Sequence, residues 1–455
     1  MSFLLDTALT GALGRYFTAG AEPIEHWPAE RLAAYHREAI ADQLAHVFAN
    51  NAFYRAKCSA AGVSPGDFRT LDDLGRFPFT LKDELRGDPW ILLSVPKDEV
   101  RLAHTSTGTT GGDWSYILYS WDDMFAHDLA TATRLLMPVE AGDVVINALP
   151  YEMSSSGQSF QRSLQAGQGA LVIPVGKGGF YSDPHKTVKI MADLSANVLI
   201  TTPPYAMLLA EVAAERGLLS GGGIRLRFIW LTGEGCSSAY RRRLEETWRC
   251  PGLVFYGSME CGSIAIECPQ KAGSHLSAGQ VFVEIIDPAT GKPQPPGQVG
   301  EVVATVLARK ASPLIRFRTQ DLGLIDPASC PCGIKLPRLH LRGRIVDQVA
   351  AGGKSAEPAV SPYMIEEVLY AEAAMGGNYQ IYVDAGRLLV EAESLAGATD
   401  TAAAGERIAA RLAERGLACE FRWVAHIPRT GGKTRRIRPL ADREAVMNQP
   451  CLLGK

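Results

Sequence analysis

Between Asp143 and Phe255 the chain alternates short, wholly apolar runs with stretches of helical character, and this pattern constrains the fold more than any other. The runs are Val144-Val-Ile146, Ala170-Leu-Val-Ile173, Val198-Leu-Ile200, Phe228-Ile-Trp-Leu231 and Leu253-Val-Phe255. An apolar run without polar alternation suits a strand buried on both faces, and strands separated by helices need crossover connections. This part of the chain is therefore expected to form a parallel sheet covered by helices. Three of the runs end in polar or glycine-containing turns: Thr201-Thr-Pro-Pro204, Thr232-Gly-Glu-Gly235 and Tyr256-Gly-Ser-Met-Glu260. Open α/β sheets bind ligands at such carboxyl-terminal strand ends.

The flanking regions read differently. Residues 1 to about 100 have helical character, broken at Gly62-Val-Ser-Pro-Gly-Asp67, and supply scaffold more than chemistry. After Gly279 the pattern turns to β structure, with Val281-Phe-Val-Glu-Ile-Ile286 and a turn at Pro288-Ala-Thr-Gly-Lys-Pro293. A boundary is expected near Gly343, giving a large domain over 1–343 and a small α/β unit over 344–455. The latter should hold a short helix around Ile365 to Leu369, strands Gln380–Val383 and Leu388–Glu391, a helix from Thr401 to Arg415 and a strand near Phe421. The fold class is α/β, with parallel sheets and a β-rich part in the large domain.

One segment has no use in a packed core. His104-Thr-Ser-Thr-Gly-Thr-Thr-Gly-Gly-Asp113 is built of small, hydroxyl-bearing and glycine residues. Glycine lets backbone N–H groups approach an anion, and the hydroxyls add donors, so Thr105, Ser106, Thr107, Gly108, Thr109, Thr110 and Gly111 suit a phosphate-wrapping loop. For the run by itself, a flexible linker is the rival reading. It is not a Walker loop, because no Gly-Lys-Ser/Thr follows.

The totals exclude several classes. A net charge of -3 with dispersed Lys and Arg argues against nucleic acid or an anionic membrane surface as the main partner. No apolar run reaches the ~18 residues of a membrane span. Met1-Ser-Phe-Leu-Leu-Asp6 lacks a basic leader, so no signal peptide is expected. Nine scattered cysteines fit a reducing cytoplasm better than a disulfide framework.

Further motifs follow the loop in a fixed order, and with them the sequence resembles the adenylate-forming superfamily, in particular its phenylacetate-CoA ligase branch. Leu231-Thr-Gly-Glu-Gly235 resembles the adenine-side turn, assigning Gly233 and Glu234 to the nucleotide. Tyr256-Gly-Ser-Met-Glu-Cys-Gly262 resembles the aromatic-Gly-x-x-Glu motif, with Tyr256, Gly257, Ser258 and Met259 beside the nucleotide and Glu260 holding magnesium. Pro313-Leu-Ile-Arg-Phe-Arg-Thr-Gln-Asp-Leu322 resembles the segment whose aspartate, here Asp321, grips the ribose hydroxyls. Gly343-Arg344 resembles the opening of the interdomain hinge, and Ile427-Pro-Arg-Thr-Gly-Gly-Lys-Thr-Arg435 the loop bearing the catalytic lysine, Lys433. Asn51-Ala-Phe-Tyr54 through Phe77-Pro-Phe-Thr-Leu-Lys82 matches the same branch.

The resemblance implies ATP, Mg²⁺ and CoA as reactants and cofactor, a mobile C-terminal lid and, in many relatives, a homodimer. The chemistry explains the residue types. A substrate carboxylate must attack the α-phosphorus of ATP, so catalysis is mainly positioning and charge neutralisation. A hard Mg²⁺ suits Glu260. A mobile point charge suits Lys433, and Arg344 can reach phosphate or ribose as the domains close. In the second half-reaction the small domain swings and a thiol reaches the acyl-adenylate.

The sequence departs from the family in several places. Asp113 stands where the phosphate loop usually has Lys, Val346 replaces the first hinge aspartate while Asp347 remains, and the segment from Ala350 to Pro362 is longer than usual. At the acyl pocket, Leu149-Pro-Tyr-Glu-Met-Ser-Ser-Ser-Gly-Gln-Ser-Phe160 offers Tyr151, Ser155, Ser156, Gly157, Gln158 and Phe160, pointing to an aromatic acid with polar substituents. The rival reading makes this a surface loop. Cys268, His275, Cys330 and Cys332 form a candidate structural zinc set, the rival being reduced thiols in turns. The reading is an AMP-forming aryl-CoA ligase. Its alternatives are transfer to a carrier-protein thiol or an amine, or a non-catalytic nucleotide-binding homologue, against which Glu260, Asp321 and Lys433 argue.

Overall fold

The computed structural model describes residues 22–106, 114–128, 136–179, 182–350, 359–384, 387–395, 397–417, 419–429 and 434–449. It divides into two compact units. One comprises Met1–Gly142, Pro150–Val172 and Val254–Leu341; the other comprises Asp143–Leu149, Ile173–Leu253 and Arg342–Lys455.

In the first unit the helix Ala29–Asn50 buries Leu32, Ile40, Leu44 and Val47, an i, i+3, i+4 stripe that dictates which face packs inward. Gln43 lies on that buried face. Its Nε2 donates to the carbonyls of Val306 and Arg309, both at 2.9 Å. Asn51 ends this helix and caps the next, Ala52–Ala60, by accepting from the Tyr54 N–H. The expected β region forms an antiparallel run of Val281–Ile286, Gly300–Val306 and Phe317–Asp326. Asp287 accepts from the N–H groups of Ala289 and Thr290, which sets the turn after the first of these strands.

In the second unit Val144–Asn147, Val198–Thr201 and Phe228–Leu231 pair in parallel, as the apolar runs require. The helices Pro184–Asp193, Pro203–Glu215 and Ser238–Trp248 follow the strand pattern, the first two opening on prolines whose missing N–H costs nothing there. The C-terminal part forms a four-stranded sheet in the order Cys419–Val424, Arg387–Ser394, Met375–Asp384 and Ile437–Pro439. The last strand, which pairs in parallel with Met375–Asp384, had no signal in the sequence. Helices Pro362–Leu369 and Thr401–Ala413 complete it. One apolar core runs through this unit, joining Leu208, Leu209 and Val212 to Ile365, Leu369, Tyr379 and Ile408. Among the described residues no helix is long and apolar enough to cross a membrane.

Candidate functional site

In the first unit, the strands Leu102–Thr105 and Tyr116–Tyr119 are antiparallel and bring Thr105 and Ser106 to the base of a hairpin. Ser106 N–H donates to Ser115 O at 3.0 Å, and Ser115 N–H to Ser106 Oγ at 3.1 Å. Thr107, Gly108, Thr109, Thr110, Gly111 and Asp113 lie outside the described residues. Thr105 Oγ1 is buried and finds no hydrogen-bond partner among the described residues. His104, beside it, is buried edge-on to Tyr119. Burial, helped by the positive charges of His127 and Arg162, pushes its pKa down to about 4, so it stays neutral.

The motif around Glu260 is a hairpin. Gly252–Ser258 and Gly262–Glu267 pair antiparallel with a register shift at Tyr256 and Gly257, leaving Met259, Glu260 and Cys261 in the turn. Ser258 Oγ accepts from the Cys261 N–H at 3.0 Å and fixes that turn. A Cβ at Gly257 would collide with the Gly262 carbonyl, so the shift demands glycine. The Glu260 carboxylate is buried, 2.9 Å from Lys82 Nζ, while its backbone carbonyl accepts from the buried Arg309 guanidinium. Arg309 is itself oriented by a 2.7 Å bond to Ser312 O.

Asp321 reaches the same hairpin. Tyr256 Oη donates to Asp321 Oδ2 at 2.6 Å, and burial together with that carboxylate pushes the phenol far above its ordinary range, keeping it a donor. The aspartate is aimed by an irregularity in the strand Phe317–Asp326. Gln320 adopts a left-handed φ of 63°, opposite a register shift between Glu301 and Val303, and its N–H donates to Glu301 Oε1 at 3.1 Å.

The expected acyl-pocket stretch is a helix, Ser155–Arg162, capped by Ser154. Gly157 permits the approach of the Tyr151 ring, which a Cβ would meet at 2.7 Å. Phe160 packs edge-on against Phe255, centroids 4.8 Å apart. Ser155 is buried, Ser156 Oγ lies 3.1 Å from Ser154 Oγ, and Gln158 Oε1 accepts from Arg162 at 3.3 Å. Sequence reasoning missed the buried charge beside them. Asp128 accepts from Ser159 Oγ at 2.6 Å, from His127 Nδ1 at 2.9 Å and from Arg162 Nε. Burial alone would raise its pKa, but the hydrogen bonds and charges of His127 and Arg162 prevail and hold it below the usual carboxylate range. The His127 ring lies against Gly262, where a Cβ would meet Nε2 at 2.5 Å. These partners are about 30 residues apart and form no linear motif.

The candidate zinc ligands do converge. One ligand atom each from Cys268, His275, Cys330 and Cys332 lies within 4.8 Å of all the others. Tetrahedral zinc with ~2.3 Å Zn–S bonds requires sulfurs about 3.8 Å apart, and Cys268 Sγ and Cys330 Sγ are separated by 3.7 Å. His275 Nε2 is 3.3 Å from Cys332 Sγ, and its Nδ1 lies 2.9 Å from Leu336 O. That carbonyl selects the tautomer with the proton on Nδ1, so Nε2 presents its lone pair to the cluster.

In the second unit, the strand Phe228–Leu231 leads into Thr232-Gly-Glu-Gly235, with Gly233 at a left-handed φ of 80°. Glu234 is buried. Burial raises its pKa, but Lys177 Nζ, 2.8 Å from Oε1, outweighs this and keeps it low; Oε2 accepts from the Thr434 N–H at 3.1 Å. Arg344 ends the strand Arg338–Arg344 and, with Arg435, partly offsets the burial that raises the Asp347 pKa. Lys433 lies outside the described residues, as does 351–358 of the lengthened post-hinge segment. Its neighbour Arg429 is bonded to Glu211 at 2.8 Å and to Glu393 at 2.7 Å. The Glu211 pKa is pushed up to about 7 by burial, with Arg429 opposing and Glu393 reinforcing the rise.

Residues 117–305 match the family model of AMP-binding enzymes. The chain is 33% identical to a phenylacetate-coenzyme A ligase of Thermus thermophilus, covering 81% of this chain and 82% of that one. It is 28% identical to a phenylacetate-coenzyme A ligase of Pseudomonas putida, with 80% and 81% covered. Among solved structures it resembles a 2-hydroxyisobutyryl-CoA ligase in the postadenylation state in complex with R3-HIB-AMP, with a TM-score of 0.84 at 24% identity over 95% of both chains.

Proposed function

This chain belongs to the AMP-binding, adenylate-forming enzymes of the phenylacetate-CoA ligase branch, and from that premise we propose that it is an AMP-forming acid–CoA ligase for an aromatic acid bearing polar substituents. In the first half-reaction a substrate carboxylate oxygen attacks the α-phosphorus of ATP and pyrophosphate departs, leaving acyl-AMP. In the second, the sulfur of CoA attacks the acyl carbon, loses its proton, and AMP leaves with the bonding pair.

The observation that carries this reading is the Tyr256 to Asp321 hydrogen bond of 2.6 Å beside the Glu260 hairpin turn. Asp321, fixed by that phenol, would accept from the ribose hydroxyls. Glu260 fits Mg²⁺: it is a buried hard-oxygen ligand on a rigid turn, and Mg²⁺ commonly takes one or two protein carboxylates with phosphates and water as its other ligands. When bound, that ion would neutralise charge on the departing pyrophosphate. Lys433 would steady the substrate carboxylate against the α-phosphate, and Arg344 would contact the nucleotide, with 344–455 acting as the lid. Thr105 and Ser106 would lead into the phosphate loop.

Tyr151, Phe160 and Phe255 supply aromatic surface, which supports an aryl substrate. Ser155, Ser156 and Gln158 on the same helix support polar ring substituents. The test is mass spectrometry of a reaction containing protein, ATP, Mg²⁺, CoA and a pooled panel of substituted benzoic, phenylacetic and heteroaryl acids. One acyl-CoA bearing a polar ring group is expected. Acyl-AMP accumulating without thioester would replace CoA with a carrier thiol or amine, and neither product would overturn the reading.

The Cys268, His275, Cys330 and Cys332 cluster supports a structural zinc ion, chosen by its sulfur-rich set and tetrahedral spacing. One zinc per chain is expected by elemental analysis of protein purified without added metal, and metal-free protein of unchanged thermal stability would remove it.

A further inference from the structure

We propose that Arg162, held in place by Asp128, is a specificity-determining residue that reads a ring hydroxyl of the aromatic acid. The inference rests on the reading of the helix Ser155–Arg162 as part of the acyl pocket, and it names the polar substituent that this pocket takes.

Asp128 closes the helix Trp121–Asp128, and its carboxylate is occupied on both oxygens. Oδ1 accepts from Ser159 Oγ at 2.6 Å and from His127 Nδ1 at 2.9 Å, and Oδ2 accepts from Arg162 Nε. The Asp128 backbone carbonyl accepts from Ser163 Oγ, so main chain and side chain are tied to the same neighbouring segment. With its side chain only 3% exposed, Asp128 does not meet a ligand directly and is a positioning residue. A buried ion pair adds little stability over an apolar pair of the same shape, so stability alone does not account for one here.

Arg162 is placed differently, with 34% of its side chain exposed. A guanidinium is a planar fork of five donors, so anchoring Nε sets the directions of Nη1 and Nη2 as well. Nη1 donates to Gln158 Oε1 at 3.3 Å, and among the described residues Nη2 has no partner. Ser155, Gln158, Ser159 and Arg162 recur at three- and four-residue spacing and so share one face of the helix. The outer edge of the guanidinium therefore continues the polar stripe assigned above to the ring substituent.

The chemistry of the group selects a hydroxyl. Asp128 already balances the charge of Arg162, so a second carboxylate on the acid gains little there, whereas a neutral oxygen can accept from Nη2. A hydroxyl also has a proton to place, and His104 supplies an acceptor. Its ring is 1% exposed and near enough for the charges of His127, Arg162 and Asp128 to act on it. The ring bonds the Met153 backbone, while Nε2 has no partner among the described residues. The proton therefore sits on Nδ1 and the lone pair on Nε2, an acceptor that an unsubstituted ring would leave unmet.

The test uses the full-length chain and calorimetric binding of phenylacetate and its ortho, meta and para hydroxy derivatives, which needs no turnover. Wild type is expected to bind one hydroxyphenylacetate about thirtyfold more tightly than phenylacetate. Arg162→Lys keeps a cation for Asp128 but has no second edge to present. It should melt near wild type and bind phenylacetate as before, while the preference falls about tenfold. Asp128→Asn, which frees the guanidinium to turn, should lower the preference in the same way. A preference that survives Arg162→Lys, equal binding of all these acids by wild type, or binding of none would overturn the proposal. Equal loss of affinity for phenylacetate and its hydroxy derivatives in both variants would reduce the pair to a staple between helices and overturn it too. The expected preference without acid-dependent ATP–pyrophosphate exchange would instead refute the ligase reading and leave the hydroxyl subsite standing.

Discussion

The carboxylates of the two units are held by different means, although Glu260, like Glu234, has an ammonium beside it, Lys82 Nζ at 2.9 Å. Asp321 and Glu260 sit on strands and a hairpin turn, aimed by register shifts, a left-handed Gln320 and a glycine that backbone contact makes obligatory. Glu234 and Glu211 depend on ion pairs with Lys177 and Arg429. Backbone geometry of the first kind is stiff and survives changes of salt and pH. Ion pairs of the second kind can be made and broken within a catalytic cycle. In the proposed two-step ligation the first kind would serve the nucleotide grip and the second the step assigned to Lys433.

Substitutions can break or sharpen this contrast. The largest effect is expected at Lys433: Lys433→Ala should lower pyrophosphate exchange by about a thousandfold while sparing thioester formation from supplied acyl-adenylate. Equal loss of both half-reactions would erase the distinction between a fixed grip and a step-specific lysine. Glu260→Gln should lower adenylation about a hundredfold and raise the Mg²⁺ concentration giving half-maximal rate; a shift in the ATP requirement alone would move Glu260 out of the metal role. Gly257→Ala tests the stiff side directly. The new methyl meets backbone across the hairpin, so stability by chemical denaturation should fall by about 2 kcal/mol, with ATP binding weakened in step.

The smallest effect concerns pH. His104 has a folded pKa of about 4 against 6.5 for the unfolded chain. The unfolded state therefore binds more protons below pH 6.5, and this contribution to stability, fully present above 6.5, is lost as pH falls towards 4. At pH 5.5 the loss should be about 1.4 kcal/mol. His104→Gln should flatten the stability profile between pH 6.5 and 4, and an unchanged profile would place the titration elsewhere.

What the sequence discloses follows from where partners lie along the chain. Val198–Thr201 and Phe228–Leu231 are buried on both faces, so they read directly as apolar runs. The order of motifs around Glu234, Glu260 and Asp321 was readable because each is contiguous. The cysteine and histidine set was readable as a candidate because few residue types offer a thiolate or an imidazole, although only folding brings Cys268 against Cys330. The union of Asp128, Ser159 and Arg162 was not readable, since a lone aspartate after a helical stretch looks like a solvated charge. Lys177 was invisible for the same reason: its carboxylate lies 57 residues away. The short strand Ile437–Pro439 carries too few residues for any periodicity to register.

Gln320 gives the protein engineer a place to begin. A side chain in the left-handed region carries strain of about 1 kcal/mol that glycine does not, and here the strained residue's main-chain N–H, which every residue but proline retains, makes the contact to Glu301. A hotter-running variant would therefore be sought first at position 320, where the backbone bend that aims Asp321 is the part to preserve and the glutamine side chain is the part open to exchange.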